Sequence, residues 1–112
     1  MAKDDYYVIV YKILAYLYVK LKAWEDIDQY LIMPGGQFCK INERYWTYIM
    51  IHMLRGGYIE GISTTRTFGA ECIVNNLDCI QITPRGIDYL CNNSLFEKAK
   101  AFLKDVKEIT PS

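Results

Sequence analysis

Residues 42–62 read NERYWTYIMIHMLRGGYIEGI, and a change of period inside this stretch decides the fold. Asn42 offers a side-chain oxygen to the first free amides of a helix, and neither Gly nor Pro interrupts Glu43 to Arg55. At about 100° per residue, Tyr45, Trp46, Ile49, Met50, Met53 and Leu54 gather on one half of that helix, its core face. Gly56-Gly57 stops it by supplying the left-handed residue that a helix C-terminus prefers. From Tyr58 to Ile62 apolar and polar residues alternate, the period of a strand.

Downstream, Ser63 to Thr67 is polar and Thr-rich, Glu71 to Val74 extends a returning arm, and Leu77 to Ile82 alternates again. Asn75-Asn76 supplies a turn signal between them, so 58–82 is expected to form a hairpin with a long tip. Thr83-Pro84 pairs an N-cap with proline at the first helical position and opens a helix over 84–91, which ends before Asn92-Asn93. Ser94 and Glu97 form a capping box for a last helix over 95–108, with Leu95, Phe96, Ala99, Phe102, Leu103 and Val106 on one face. Upstream, the acidic start and the Lys20 and Lys22 end of the first apolar stretch suit a helix over 5–22. Glu25, Asp26 and Asp28 lack the Gly-centred loop of a cation site and read as the acidic first turn of a second helix, 25–31. Pro34, Gly35 and Gly36 must stop that helix. Three helices, a β-hairpin wing and two C-terminal helices make an α+β chain in the winged helix-turn-helix order. With 112 residues, one domain accounts for the whole chain.

Thirteen Lys and Arg balance thirteen Asp and Glu, which argues against a protein that grips many phosphates or an anionic membrane. The hydrophobic content of 52% owes its surplus to ten tyrosines rather than to aliphatic bulk. The apolar run from Tyr6 to Val19 is interrupted by Lys12 and is shorter than the roughly 20 residues of a membrane span. No small-residue cleavage site follows it, so it is not a signal peptide, and a cytoplasmic protein with reduced thiols is expected. Cysteines at 39, 72, 79 and 91 form no CxxC pair, and only His52 could add imidazole, so no metal or other cofactor is expected.

Two stretches together resemble a known family. Leu54-Arg55-Gly56-Gly57-Tyr58-Ile59-Glu60-Gly61 and Ile82-Thr83-Pro84-Arg85-Gly86-Ile87-Asp88-Tyr89-Leu90, followed by a Lys-rich segment ending Lys104-Asp105-Val106-Lys107-Glu108-Ile109, are similar to the YjcQ proteins. These are small winged-helix proteins of Gram-positive bacteria and their phages. The likeness takes in helix one, helix three and everything after Gly56, whereas the connection from Trp24 to Lys40 matches no motif. What it implies is a DNA-binding domain, and it brings no catalytic residues.

A winged-helix regulator inserts its third helix into the major groove of double-stranded DNA and rests its wing on phosphates. The outer half of the third helix carries Arg44, Thr47, Tyr48, Ile51 and Arg55; Lys40, Arg66 on the wing and Arg85 are the other cations within reach. Ile51 fits poorly in a base-reading position and suits a protein contact. Two functions follow: a transcriptional regulator associated with phages or mobile elements, or an interaction module without DNA binding, such as a phage-encoded inhibitor of a host protein. On helix one, Tyr6, Tyr7, Val10, Ile13, Leu14 and Leu17 form the core face, yet Val8, Ile9, Lys12, Ala15, Tyr16 and Val19 leave the other side apolar too. That side is expected to form a homodimer interface, unless the C-terminal helix of the same chain covers it. An enzyme is not expected: His52 reads as a hydrogen-bonded packing histidine, the four cysteines as small buried hydrophobes, and Trp24 and Trp46 as core or interface anchors.

Overall fold

A computed structural model of the chain describes residues 5–66 and 72–92. Among these the fold is α+β: helices α1 (Asp5–Ala23), α2 (Gln29–Ile32), α3 (Glu43–Arg55) and α4 (Pro84–Cys91), with strands β1 (Ile59–Glu60), β2 (Ser63–Arg66), β3 (Cys72–Asn75) and β4 (Gln81–Ile82) between α3 and α4. Both strand pairings are antiparallel, β1 with β4 through Ile59 opposite Ile82, and β2 with β3 from Ser63 opposite Asn75 to Arg66 opposite Cys72. The expected last helix over 95–108 lies outside the described residues.

Helix α3 has the boundaries its sequence dictates. The Asn42 side chain accepts from the Tyr45 amide at 2.9 Å. At the other end the Tyr58 amide donates to the Met53 carbonyl and the Gly57 amide to Leu54, while Gly57 takes φ +80°, a conformation that costs a residue with Cβ roughly 1–2 kcal/mol. Trp46, Ile49, Met50 and Met53 are buried along its inner face.

Two expectations need correction. The second helix does not start at residue 25. Trp24 turns left-handed and ends α1, the chain runs extended to Asp28, and Asp28 caps a four-residue α2 by accepting from the Tyr30 amide at 3.0 Å. Leu77 to Ile82 is not one strand either. Asn76 is left-handed, Leu77–Cys79 forms a 3-10 turn, and only Gln81 and Ile82 pair with β1. Gly61 sits opposite this turn, and a Cβ there would strike the Cys79 carbonyl. The alternating pattern of 77–82 therefore serves a bend packed on a glycine, which separates the two strand pairings.

Helix α1 is central. Ile9, Val10, Tyr11, Ile13, Leu14, Ala15, Tyr16 and Leu17 are all buried in the same core as α3, whereas Tyr7, expected to face inward, is exposed. The unclassified connection supplies the second cover. Ile32, Phe38 and Cys39 are fully buried, the Phe38 amide donates to the Leu31 carbonyl at 3.0 Å, and the Phe38 ring meets Tyr16 edge-on at 5.1 Å. The irregular connection thus packs against part of the apolar helix α1, at Tyr16 and Ile9. No helix among the described residues is long and apolar enough to cross a membrane.

Tyr11 carries an imperfection. It is 3% exposed, its ring stacks on Tyr89 at 5.5 Å, and its hydroxyl finds no hydrogen-bond partner among the described residues. Burial, aided by the neighbouring Tyr89 hydroxyl, pushes it up to about 12 from an ordinary value of 10.0. Because the folded value lies above the unfolded one, this group leaves stability independent of pH below pH 10 and lowers it as the pH climbs from 10 toward 12, where ionisation favours the unfolded chain. Tyr11→Phe is expected to raise the urea midpoint at neutral pH by about 1 kcal/mol of stability, since it removes an unpaired buried polar atom. The same substitution should flatten part of the alkaline decline. A loss of stability at neutral pH would show that the hydroxyl is satisfied.

Candidate nucleic-acid and partner interface

Positions 44, 47, 48, 51 and 55 recur at helical spacing, so α3 aligns them on one face, and Arg44 and Arg55 stand about 16 Å apart along its axis. Both arginines are exposed. Between them the stripe changes character. Tyr48 is 53% exposed, yet its ring lies 4.2 Å from His52, 6.3 Å from Tyr6 of α1 and 6.4 Å from Tyr45. Tyr6 in turn meets Tyr7 edge-on at 5.0 Å, so a run of aromatic rings links the start of α1 to the outer face of α3. Ile51 is half-buried, and Thr47 faces a groove bounded by β3. His52, read from sequence as a packing residue at the core edge, is exposed and lies against Tyr48.

The remaining cations are dispersed. Arg66 ends β2 and is exposed on the hairpin. Lys40 shares a recess with Val8, Ile9 and Lys12, which places it beside α1. Arg85 lies over the Tyr58 ring at 5.8 Å, a cation–π contact. Among the described residues, Arg44, Arg55, Arg66 and Lys40 make no ion pair, whereas Lys20 pairs with Glu25 at 3.1 Å.

The expected dimer face is covered by the chain itself. Ile9, Ala15 and Tyr16 are buried within the single chain, and the Tyr16 hydroxyl accepts from the Asp28 amide at 2.8 Å. The 28–41 segment lies against two of them: Ile9 shares a recess with Gln37, Phe38, Lys40 and Ile41, and the Phe38 ring meets Tyr16. Val8, Lys12 and Val19 stay half-buried at its margin. The apolar pattern of α1 signalled that this side is in contact with something; a loop without periodicity left no sign that it meets Ile9 and Tyr16.

Chemically reactive groups are few. Burial pushes the Cys39 thiol up to about 12, opposed by a hydrogen bond with Trp46 and the nearby Lys12 charge, so it remains protonated and packs as a small hydrophobe. Cys79 and Cys91 are exposed, against the expectation that all the cysteines are buried. Among the described residues no three His, Cys, Asp or Glu side chains come together in a way that could hold a metal ion. Trp46 is the anchor its sequence suggested, with its indole donating to the Ile32 carbonyl at 2.7 Å. Trp24 is no core anchor: it is 86% exposed.

A family model described as YjcQ protein matches residues 11–109, nearly the whole length. The chain belongs to the YjcQ family. No curated protein and no solved structure matches it. The YjcQ match takes in α2, α3, α4, both strand pairings and most of α1, and so every element that positions the α3 stripe. It also spans the 24–40 connection, which no recognisable motif had placed.

Proposed function

We propose that this YjcQ-family chain is a winged-helix protein that binds double-stranded DNA and regulates transcription. In this reading α1, α2 and α3 form the helical part, the 59–82 hairpin is the wing, and α3 enters the major groove. The observation that carries it is the set of exposed cations without ion pairs among the described residues: Arg44 and Arg55 at the two ends of the α3 face, and Arg66 on the hairpin. Exposed guanidinium groups at helix ends suit phosphates or guanine edges, and Thr47 suits a base or a methyl group.

A titration of labelled mixed-sequence duplex DNA, followed by anisotropy at two salt concentrations, tests the proposal. Three phosphate contacts predict a log-log salt slope of about −3 per bound protomer. Arg44→Glu combined with Arg66→Glu should weaken binding by about a hundredfold, since each reversal replaces attraction with repulsion. Absence of binding at low salt defeats the regulator reading. A specific observation favours the interaction-module alternative: the centre of the stripe, Tyr48 and Ile51, is aromatic and apolar, as protein contacts are. In that case Ile51→Asp should abolish partner binding while the arginine reversals do little.

A further inference from the structure

Six large hydrophobic side chains are exposed among the described residues, and they do not scatter. Tyr7 and Tyr48 belong to the aromatic run beside α3. The other four, Trp24, Tyr30, Met33 and Ile73, line two neighbouring depressions: a recess between the end of α1 and the 78–82 segment, and a groove between α2, the start of α3 and β3. Asp78 lines both, so the two form one continuous face.

Trp24 is the most informative member. It occupies the left-handed position that closes α1, with its own amide donating to Leu21 and the next amide donating to Lys20, a cap in which glycine is the usual residue. An indole here is conformationally disfavoured, and at 86% exposed it gains no packing within the chain in return. Tyr30 is 70% exposed and Ile73 50%.

Among the described residues the charge around these apolar groups has one sign: Asp26, Glu43 and Asp78 line the depressions without an ion-pair partner, and the only described cation on the lining, Lys20, is held by Glu25. Carboxylates repel nucleic acid and anionic lipid, so this face is electrostatically opposite to the arginine-tipped α3 stripe. What it complements is Lys or Arg. A guanidinium can lie on the indole or phenol face and pair with a carboxylate, while apolar side chains of the same segment fill the groove beside Met33 and Ile73.

We infer that the face joined at Asp78 is a docking site for a basic segment of a partner protein, anchored on Trp24 and Tyr30. It does not rest on the DNA reading: its anchors Trp24 and Tyr30 lie outside the α3 stripe, although Thr47 and the hairpin border both surfaces, and it gives the molecule a second, oppositely charged surface. A DNA-bound domain with such a face can hold a basic protein segment at the same time.

The test uses the full chain and labelled synthetic peptides that share one pattern of Leu and Phe but carry strongly basic, neutral or strongly acidic polar positions. The expected result is that the basic peptide binds at least about tenfold more tightly than the neutral one, a difference of about 1.4 kcal/mol, and the acidic peptide not at all. Trp24→Ala and Asp78→Lys should each weaken the basic peptide by about tenfold with circular dichroism unchanged, and Trp24→Ala should leave DNA affinity unchanged. Trp24→Phe should keep most of the binding, because an aromatic face remains. The inference is overturned if the three peptides bind alike, or if neither Trp24→Ala nor Asp78→Lys changes the affinity. It is also overturned if sedimentation shows a self-associating protein that Asp78→Lys makes monomeric, since the occupant is then a second copy. A peptide of residues 93–112 that binds the face more tightly than the basic probe overturns it as well, by making the chain its own ligand.

Discussion

Gly86→Ala will lower the stability of this domain by about 3 kcal/mol, a fall of about 15 °C in Tm, although alanine is the better helix former by about 1 kcal/mol. The sign opposes the propensity because of what lies against α4. A Cβ at Gly86 would press on the Tyr58 carbonyl oxygen and come 2.8 Å from Ile82 Cγ1. Tyr58 cannot retreat, since its carbonyl accepts from the Thr83 amide at 3.1 Å. Thr83 is fixed in turn: its hydroxyl accepts from the Gly86 amide at 3.0 Å and donates to the Gly57 carbonyl. One threonine thus caps α4 and ties it to the turn that closes α3. Urea denaturation of Gly86→Ala beside Gly35→Ala checks the argument. At Gly35 φ is +84° but nothing lies within 4 Å of a new Cβ, so only the conformational penalty of roughly 1–2 kcal/mol applies there. If Gly86→Ala is as stable as the parent, the close approach of α4 to Tyr58 is wrong.

Trp46→Ala should cost about 4 kcal/mol, more than any surface change in this chain. The indole is buried, and its removal opens a cavity between α3 and the 28–41 segment while leaving the Ile32 carbonyl without its donor. Trp46→Phe should cost about 2 kcal/mol, because the hydrogen bond goes but most of the volume stays. Denaturant midpoints of the two variants separate the packing loss from the polar one. Equal losses would mean that the bond to Ile32 matters little. Only Trp46→Phe is a useful background for binding measurements, since the alanine variant will also disturb Thr47 and the groove beside it.

The comparison of residues with structure divides along a physical line. Helix α3 and its turn were legible because every signal is local: Asn42 at the cap, periodic apolar residues, and Gly57 in the left-handed conformation. Thr83-Pro84 was legible for the same reason, whereas the need for glycine at 86 was not, because the contact that requires it is with a residue 28 positions earlier in the chain. The arginine stripe followed from helical spacing, and both arginines are exposed as that spacing demands. His52 and Tyr7 went the other way. Each lies at the margin of a helical face, where a neighbouring ring rather than the period sets exposure.

What the amino-acid sequence determined by itself is the family, the α+β class, the two well-capped helices α3 and α4, and the cationic ends of the α3 face. These depend on residues within a few positions of one another, where capping, period and turn chemistry act directly. Tertiary structure alone decided that Phe38 of the irregular connection packs on Tyr16, on the apolar far side of α1. It alone brought Trp24, Tyr30, Met33 and Ile73 together around Asp78. Burial and charge complementarity are sums over everything near in space. The chain joins those residues through an irregular loop and a hairpin, neither of which carries a period from which their meeting could be read.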